Sequence, residues 1–81
     1  MNLSIQLFAQ ARDIAQRDRI EIELPAQATV ADLRNQLVQH IPELKTIVPH
    51  LLVAVENEYA TDDTILKENI PIACFPPVSG G

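Results

Sequence analysis

The stretch IPIACFPPVSGG, Ile70 to Gly81, holds two kinds of sequence back to back. From Ile70 to Phe75 it alternates, with Ile70, Ile72 and Cys74 on one face and Ala73 and Phe75 on the other, which is the two-residue period of a β-strand. From Pro76 onward it is unable to continue a strand. Two prolines remove two ladder donors, hold φ at about −65° and bias the residue before each toward extended conformations. The fold therefore depends on what comes before this last strand and covers its apolar face.

At the other end of the chain, Asn2 to Phe8 alternates in the same way, with Leu3, Ile5 and Leu7 inward and Phe8 among the outward residues. Ala9 to Asp18 loses that period and reads as a surface connection with room for a short helical turn. Arg19 to Leu24 alternates again, Ile20, Ile22 and Leu24 inward and Arg19, Glu21 and Glu23 toward water, and Pro25 stops it. Thr29 followed by Asp32 is an acidic variant of the capping box. Behind it Val30, Leu33, Leu37 and Ile41, with Val38 beside them, form one stripe of a helix that ends at Pro42.

Pro49 limits any turn between Glu43 and Val48. Leu51 to Val55 is a near-continuous apolar run, the pattern of a buried strand. Asn57 to Ala60 makes a short strand around Tyr59, and Thr61-Asp62-Asp63-Thr64 is a turn. The order strand, strand, helix, strand, short strand, strand predicts an α+β domain with one amphipathic helix on one sheet face. If Ile70, Ile72 and Cys74 face that helix, as Leu3, Ile5 and Leu7 do, then Phe8 and Phe75 project from the uncovered face. With Tyr59 they are the only aromatic residues in the chain, and clustered there they mark a partner surface.

Length and composition limit the rest. Eighty-one residues make one small domain, 47% hydrophobic and 21% charged, which excludes disorder. The net charge of −5 repels nucleic acid and anionic lipid and favours a basic partner site. No run reaches the roughly 18 apolar residues of a membrane span, and Met1-Asn2-Leu3-Ser4 has no signal-peptide character, so a cytoplasmic protein is expected. The lone cysteine, Cys74, excludes an internal disulfide. Its place on the face of Ile70 and Ile72 makes it a small buried hydrophobe rather than a sulfur-carrying thiol. His40 and His50 show no metal-ligand spacing, and no metal site is expected. Ser79 has no evident base partner, and Glu56, Glu58, Asp62 and Asp63 read most simply as solvated surface.

Glycine is distributed unevenly. Average usage of about 7% predicts five or six, yet there are two, Gly80 and Gly81, the last two residues. A folded domain over residues 1–75 thus leads into an extended tail over 76–81. The six tail residues span at most about 20 Å at ~3.3 Å each. Without a Cβ on either glycine the end is thin enough for a narrow channel, and its carboxylate is open to attack from any side. Such a carboxylate suits acyl activation: ATP forms an acyl-adenylate, and a nucleophile displaces AMP.

Three segments carry a family likeness: Leu7-Phe8-Ala9-Gln10-Ala11-Arg12, Leu51-Leu52-Val53-Ala54-Val55 and Ala73 to Gly81, with Thr29 to Leu37 fitting the helix. They resemble the small subunits of molybdopterin synthase, ubiquitin-like sulfur carriers of the β-grasp fold. The resemblance implies a mixed sheet of about five strands with one main helix on one face, and a chain that is a co-substrate without turnover of its own. It implies that Gly81 is adenylated by an enzyme related to ubiquitin activators, which consumes ATP, and then becomes a thiocarboxylate. It further implies that Pro76, Pro77, Val78, Ser79 and Gly80 enter a pocket of the large subunit within a heterotetramer. Two deliveries then place the dithiolene sulfurs on cyclic pyranopterin monophosphate. Phe8, Tyr59 and Phe75 match positions that pack against the large subunit or the activating enzyme, and no cofactor is bound by the carrier.

Two departures stand out. Glu56 replaces the usual asparagine, and Glu68-Asn69-Ile70-Pro71 replaces a Gly-Asp turn before the last strand. The tail features by themselves also suit a thiazole-type sulfur carrier or a ubiquitin-like protein modifier, and the aromatic face suits a plain interaction module. The Phe-Pro-Pro-Val-Ser-Gly-Gly ending together with Phe8 to Arg12 favours the synthase subunit.

Overall fold

In the computed structural model, which describes residues 1–77, the alternating segments form β1 (Asn2–Leu7) and β2 (Arg19–Glu23). They pair antiparallel with Ile5 opposite Ile20 and Leu3 opposite Ile22. The later strands are β3 (Leu52–Val55), β4 (Glu58–Tyr59) and β5 (Ile72–Phe75). The sheet order is β2-β1-β5-β3-β4, with β5 parallel to β1 and antiparallel to β3. The last strand in sequence is thus the middle strand in space, laddered on both sides. This is the expected mixed five-stranded β-grasp sheet.

The main helix, α2 (Val30–His40), begins as its sequence dictates. The Thr29 N–H donates to the Asp32 carboxylate at 2.9 Å, and the Thr29 hydroxyl accepts the Asp32 N–H at 3.4 Å. Two further N–H groups of the first turn, on Val30 and Ala31, donate to the carbonyls of Thr64 and Asp62, each at 3.0 Å. The loop after β4 therefore caps the helix that the chain built much earlier, filling donors that a helix end leaves unpaired. Arg34 tightens the same junction: its Nε donates to Asp62 Oδ1 at 2.8 Å and its Nη1 to the Val48 carbonyl at 2.6 Å. Asp62, expected as free surface, is instead a cross-link between loop and helix.

Val30, Leu33 and Leu37 are fully covered and pack with Leu3, Ile5, Leu7, Ile20, Ile22, Val53, Ile72 and Cys74 in one core. No polar or charged residue among those described is buried. Three expectations need correction. The connection after β1 is a two-turn helix, α1 (Ala9–Ala15), whose Ala11 and Ala15 close one end of the core. Of the run Leu51 to Val55, Leu51 and Val53 are buried while Leu52, Ala54 and Val55 are only partly covered, because helices cover one sheet face alone. Ile70 lies outside β5 and is half-buried.

The scarcity of glycine has a structural counterpart. Among the described residues, six non-glycine residues adopt positive φ: Ala9, Gln16, Gln27, Glu56, Asn57 and Asn69. Glu56 (φ 53°) and Asn57 (φ 68°) are the two central residues of the hairpin between Val55 and Glu58. That double left-handed geometry is the one for which Asn-Gly is preferred. Asn69 (φ 64°) takes the place of the glycine expected before the last strand, a substitution its short side chain tolerates. Its neighbour Glu68 accepts the Asn2 N–H at 3.2 Å, so the departure also ties the turn to β1. Left-handed backbone costs a residue with a Cβ about 1–2 kcal/mol. Glu56→Asn with Asn57→Gly is therefore expected to stabilise the fold by about 1 kcal/mol, read as a rise in the urea midpoint. A fall in the midpoint would contradict the strain assigned to this turn.

Candidate functional site at the root of the tail

The tail leaves the middle of the sheet. The Phe8 N–H donates to the Cys74 carbonyl at 3.2 Å, carrying the β1–β5 ladder one residue past β1. Phe75 ends β5 opposite Leu52. The rings of Phe8 and Phe75 stack with centroids 4.7 Å apart and planes 4° from parallel, an offset arrangement worth about 0.5–1.5 kcal/mol beyond its buried area. Pro76 is half-buried against this end and Pro77 is exposed. Val78, Ser79, Gly80 and Gly81 lie outside the described residues.

A shallow groove of about 560 Å³ runs from this stack across the uncovered sheet face. Register explains its shape. Ala73 of β5 lies opposite Ala54 of β3, and Ala54 lies opposite Tyr59 of β4. Two small side chains thus form a floor between the phenylalanine pair and the tyrosine. Tyr59 is 70% exposed and shares the groove without joining the stack. Phe8 and Phe75, assigned to one surface from strand parity, are brought into contact. Ala73 shares the face of Phe75 by strand parity, whereas the place of Ala54 in the groove shows only in the cross-strand register. Toward β2 the same face turns polar through Ser4, Gln6 and Arg19.

Cys74 lies directly behind this surface and is 0% exposed. Burial pushes its thiol up from 9.0 to about 11, opposed by the nearby Arg34 charge. It is protonated and covered at neutral pH, the state in which a thiol neither attacks nor is attacked. Alkylation of the native chain at pH 8 is expected to proceed only as fast as the fold opens, far slower than in urea. A free-thiol rate would contradict this placement. The raised value also sets a sign: the protonated thiol's contribution to stability is whole below pH 9 and is lost as pH rises toward 11. Cys74→Ala should remove that part of the alkaline loss.

No helix among the described residues is long and apolar enough to cross a membrane. A helix-backed mixed sheet with its last strand in the middle defines a ubiquitin-like domain. Residues 5–81 match the ThiS family, and the chain belongs to it.

The chain is 36% identical over 80 residues to the molybdopterin synthase sulfur carrier subunit of Dictyostelium discoideum, covering 95% of this chain and 93% of that protein. Among solved structures it is similar to a putative molybdopterin converting factor subunit 1 from Pyrococcus furiosus, with TM-score 0.85, 29% identity and coverage of 96% of this chain and 99% of that one. It is also similar to small archaeal modifier protein 1 of Haloferax volcanii, with TM-score 0.87, 26% identity and coverage of 95% and 98%.

Proposed function

We propose that this chain is the sulfur carrier subunit of a molybdopterin synthase, with the carboxyl group of Gly81 as the point of sulfur attachment. The observation that carries the reading is the root of the tail: the chain leaves the central strand β5 at Pro76 and Pro77, beside the Phe8–Phe75 stack, and the sequence then runs on to Gly80-Gly81. Full-length similarity to carrier subunits of such synthases supports it. A ubiquitin-activator-like enzyme adenylates Gly81 with ATP, releasing pyrophosphate, and a sulfur donor displaces AMP to leave a thiocarboxylate. The thiocarboxylate is the only activated group the carrier brings, and it binds no cofactor itself.

Pro76 to Gly80 then enter the large subunit, while the groove at Phe8, Phe75 and Tyr59 packs on its surface in a cytoplasmic heterotetramer. The large subunit supplies the catalytic groups, and two successive carriers deliver the dithiolene sulfurs to cyclic pyranopterin monophosphate. The folded domain over 1–75 acts as handle and address, and the tail over 76–81 as the reagent.

Thiocarboxylated chain mixed with a synthase large subunit and cyclic pyranopterin monophosphate is expected to yield molybdopterin, with the carboxylate form inert. Failure of the thiocarboxylate form beside a large subunit that works with its own carrier would overturn the assignment to this pathway. The similarity to an archaeal modifier protein gives a second reading, attachment of Gly81 to lysines of other proteins. That activity would appear as adducts of higher mass on those proteins.

A further inference from the structure

The sheet ends at β2, and this edge carries unmatched groups of two kinds. The Leu7 N–H donates to the Asp18 carbonyl at 2.9 Å and the Leu24 N–H to the Met1 carbonyl at 2.9 Å. These bonds fix the alternation of the ladder: the even-numbered residues of β2 turn their main-chain groups toward β1, and Arg19, Glu21 and Glu23 turn theirs outward. Those outward groups have no partner among the described residues. The side chains of the same three residues are exposed on the open face, opposite Gln6, Ser4 and Asn2, which carry no charge. The ion pairs among the described residues are Arg12–Asp13 and Arg34–Asp62, so Arg17, Arg19, Glu21 and Glu23 are all unpaired.

The order of these charges is self-complementary. Within Arg17-Asp18-Arg19-Ile20-Glu21-Ile22-Glu23 the odd-numbered residues begin basic and end acidic, so a second copy running antiparallel presents the opposite sign at each of these four positions. We propose that the β2 edge is a homodimerisation surface, two copies pairing antiparallel about Ile20 so that Arg19 of each lies opposite Glu21 of the other. Both residues of that pair have outward main-chain groups, so the charge pair sits on a hydrogen-bonded rung. Arg17 comes opposite Glu23 in the same register. Its N–H is already used by the Arg12 carbonyl, so it adds side-chain charge alone.

The register is selective. Sliding by two residues places Glu21 opposite Glu21 or Arg19 opposite Arg19, like charges at the centre of the interface. Sliding by one turns the apolar residues to the wrong face. Charged edges ordinarily discourage sheet-to-sheet pairing; here the charges reject every register near this one and accept it. The two open faces lie on the same side of the joined sheet. The strand β5 is separated from this edge by β1, so Phe8 and Phe75 stay clear of the paired edge, and Arg19 is the groove residue that the pairing takes up.

Sedimentation of the full chain from micromolar to millimolar concentration tests this. A reversible dimer is expected. Arg19→Glu should weaken it about ten-fold or more, since the change sets like charges opposite each other on two rungs. Adding Glu21→Arg to Arg19→Glu exchanges the two charges and should restore the dimer. Circular dichroism of each variant confirms that the exposed substitutions leave the fold in place. A chain that stays monomeric throughout, whether or not β2 takes up some other strand, overturns the proposal. So does a dimer indifferent to Arg19→Glu, or one that the exchange fails to restore.

Discussion

A chain lacking Gly81 is expected to fold as the full chain does and to accept no sulfur that reaches the pterin. Every core residue among those described lies at or before Cys74, and a glycine has no side chain to pack, so removing Gly81 is expected to leave the core intact. The shortened chain still ends in a glycine carboxylate, but that group now falls about 3.3 Å short of its former reach. Misplacement of a reacting group by even about 1 Å can cost on the order of 100-fold in rate, so a shift of a full residue is expected to stop transfer. Thermal melting should be unchanged while molybdopterin formation with the large subunit drops to background. Retained formation would refute the role of Gly81, and a lowered melting point would show the tail to be part of the fold.

The largest stability effect is expected from Ile5→Ala. Ile5 is 0% exposed in β1, with Ile20 opposite on one side and Ile72 on the other. Truncating such a side chain costs about 2–5 kcal/mol because the cavity collapses only in part. A single core in a domain of this size supplies only about 3–5 kcal/mol, so the variant should be largely unfolded without denaturant. Gln6→Ala, one residue along on the open face, should change stability by less than about 0.5 kcal/mol. Urea unfolding of the pair checks the contrast; a loss at Ile5 below about 1 kcal/mol would mean that the core is not centred on β1.

Much of this architecture was legible because apolar side chains recur at two clear periods. Leu3, Ile5 and Leu7 gave β1, Ile20 and Ile22 gave β2, and the Val30, Leu33, Leu37 stripe behind Thr29 gave α2. The aromatic face followed from parity alone, since Phe8 and Phe75 fall opposite to buried neighbours. What stayed hidden was of another kind. In α1 the buried positions are two alanines four residues apart, too small to make a hydrophobic stripe, though alanine is the strongest helix former.

The capping of α2 by Asp62 and Thr64 joins segments roughly thirty residues apart in the chain, and no local pattern announces such a contact. The central position of β5 is likewise a matter of topology: its sequence says strand, and only the ladder says which strands flank it. Glycine content gives no sign of the tight turns, because asparagine and even Glu56 occupy left-handed positions where glycine is the easier residue.

The central claim is that the folded domain exists to present Gly81 for acyl activation and sulfur loading. Intact mass of the full chain after incubation with ATP, a sulfur donor and an activating enzyme known to work on another carrier tests it most directly. The account predicts a gain equal to sulfur replacing one oxygen, confined to the C-terminal peptide and absent when Gly81 is removed. An unchanged mass beside that active enzyme, or a sulfur found on Cys74 instead, would contradict it.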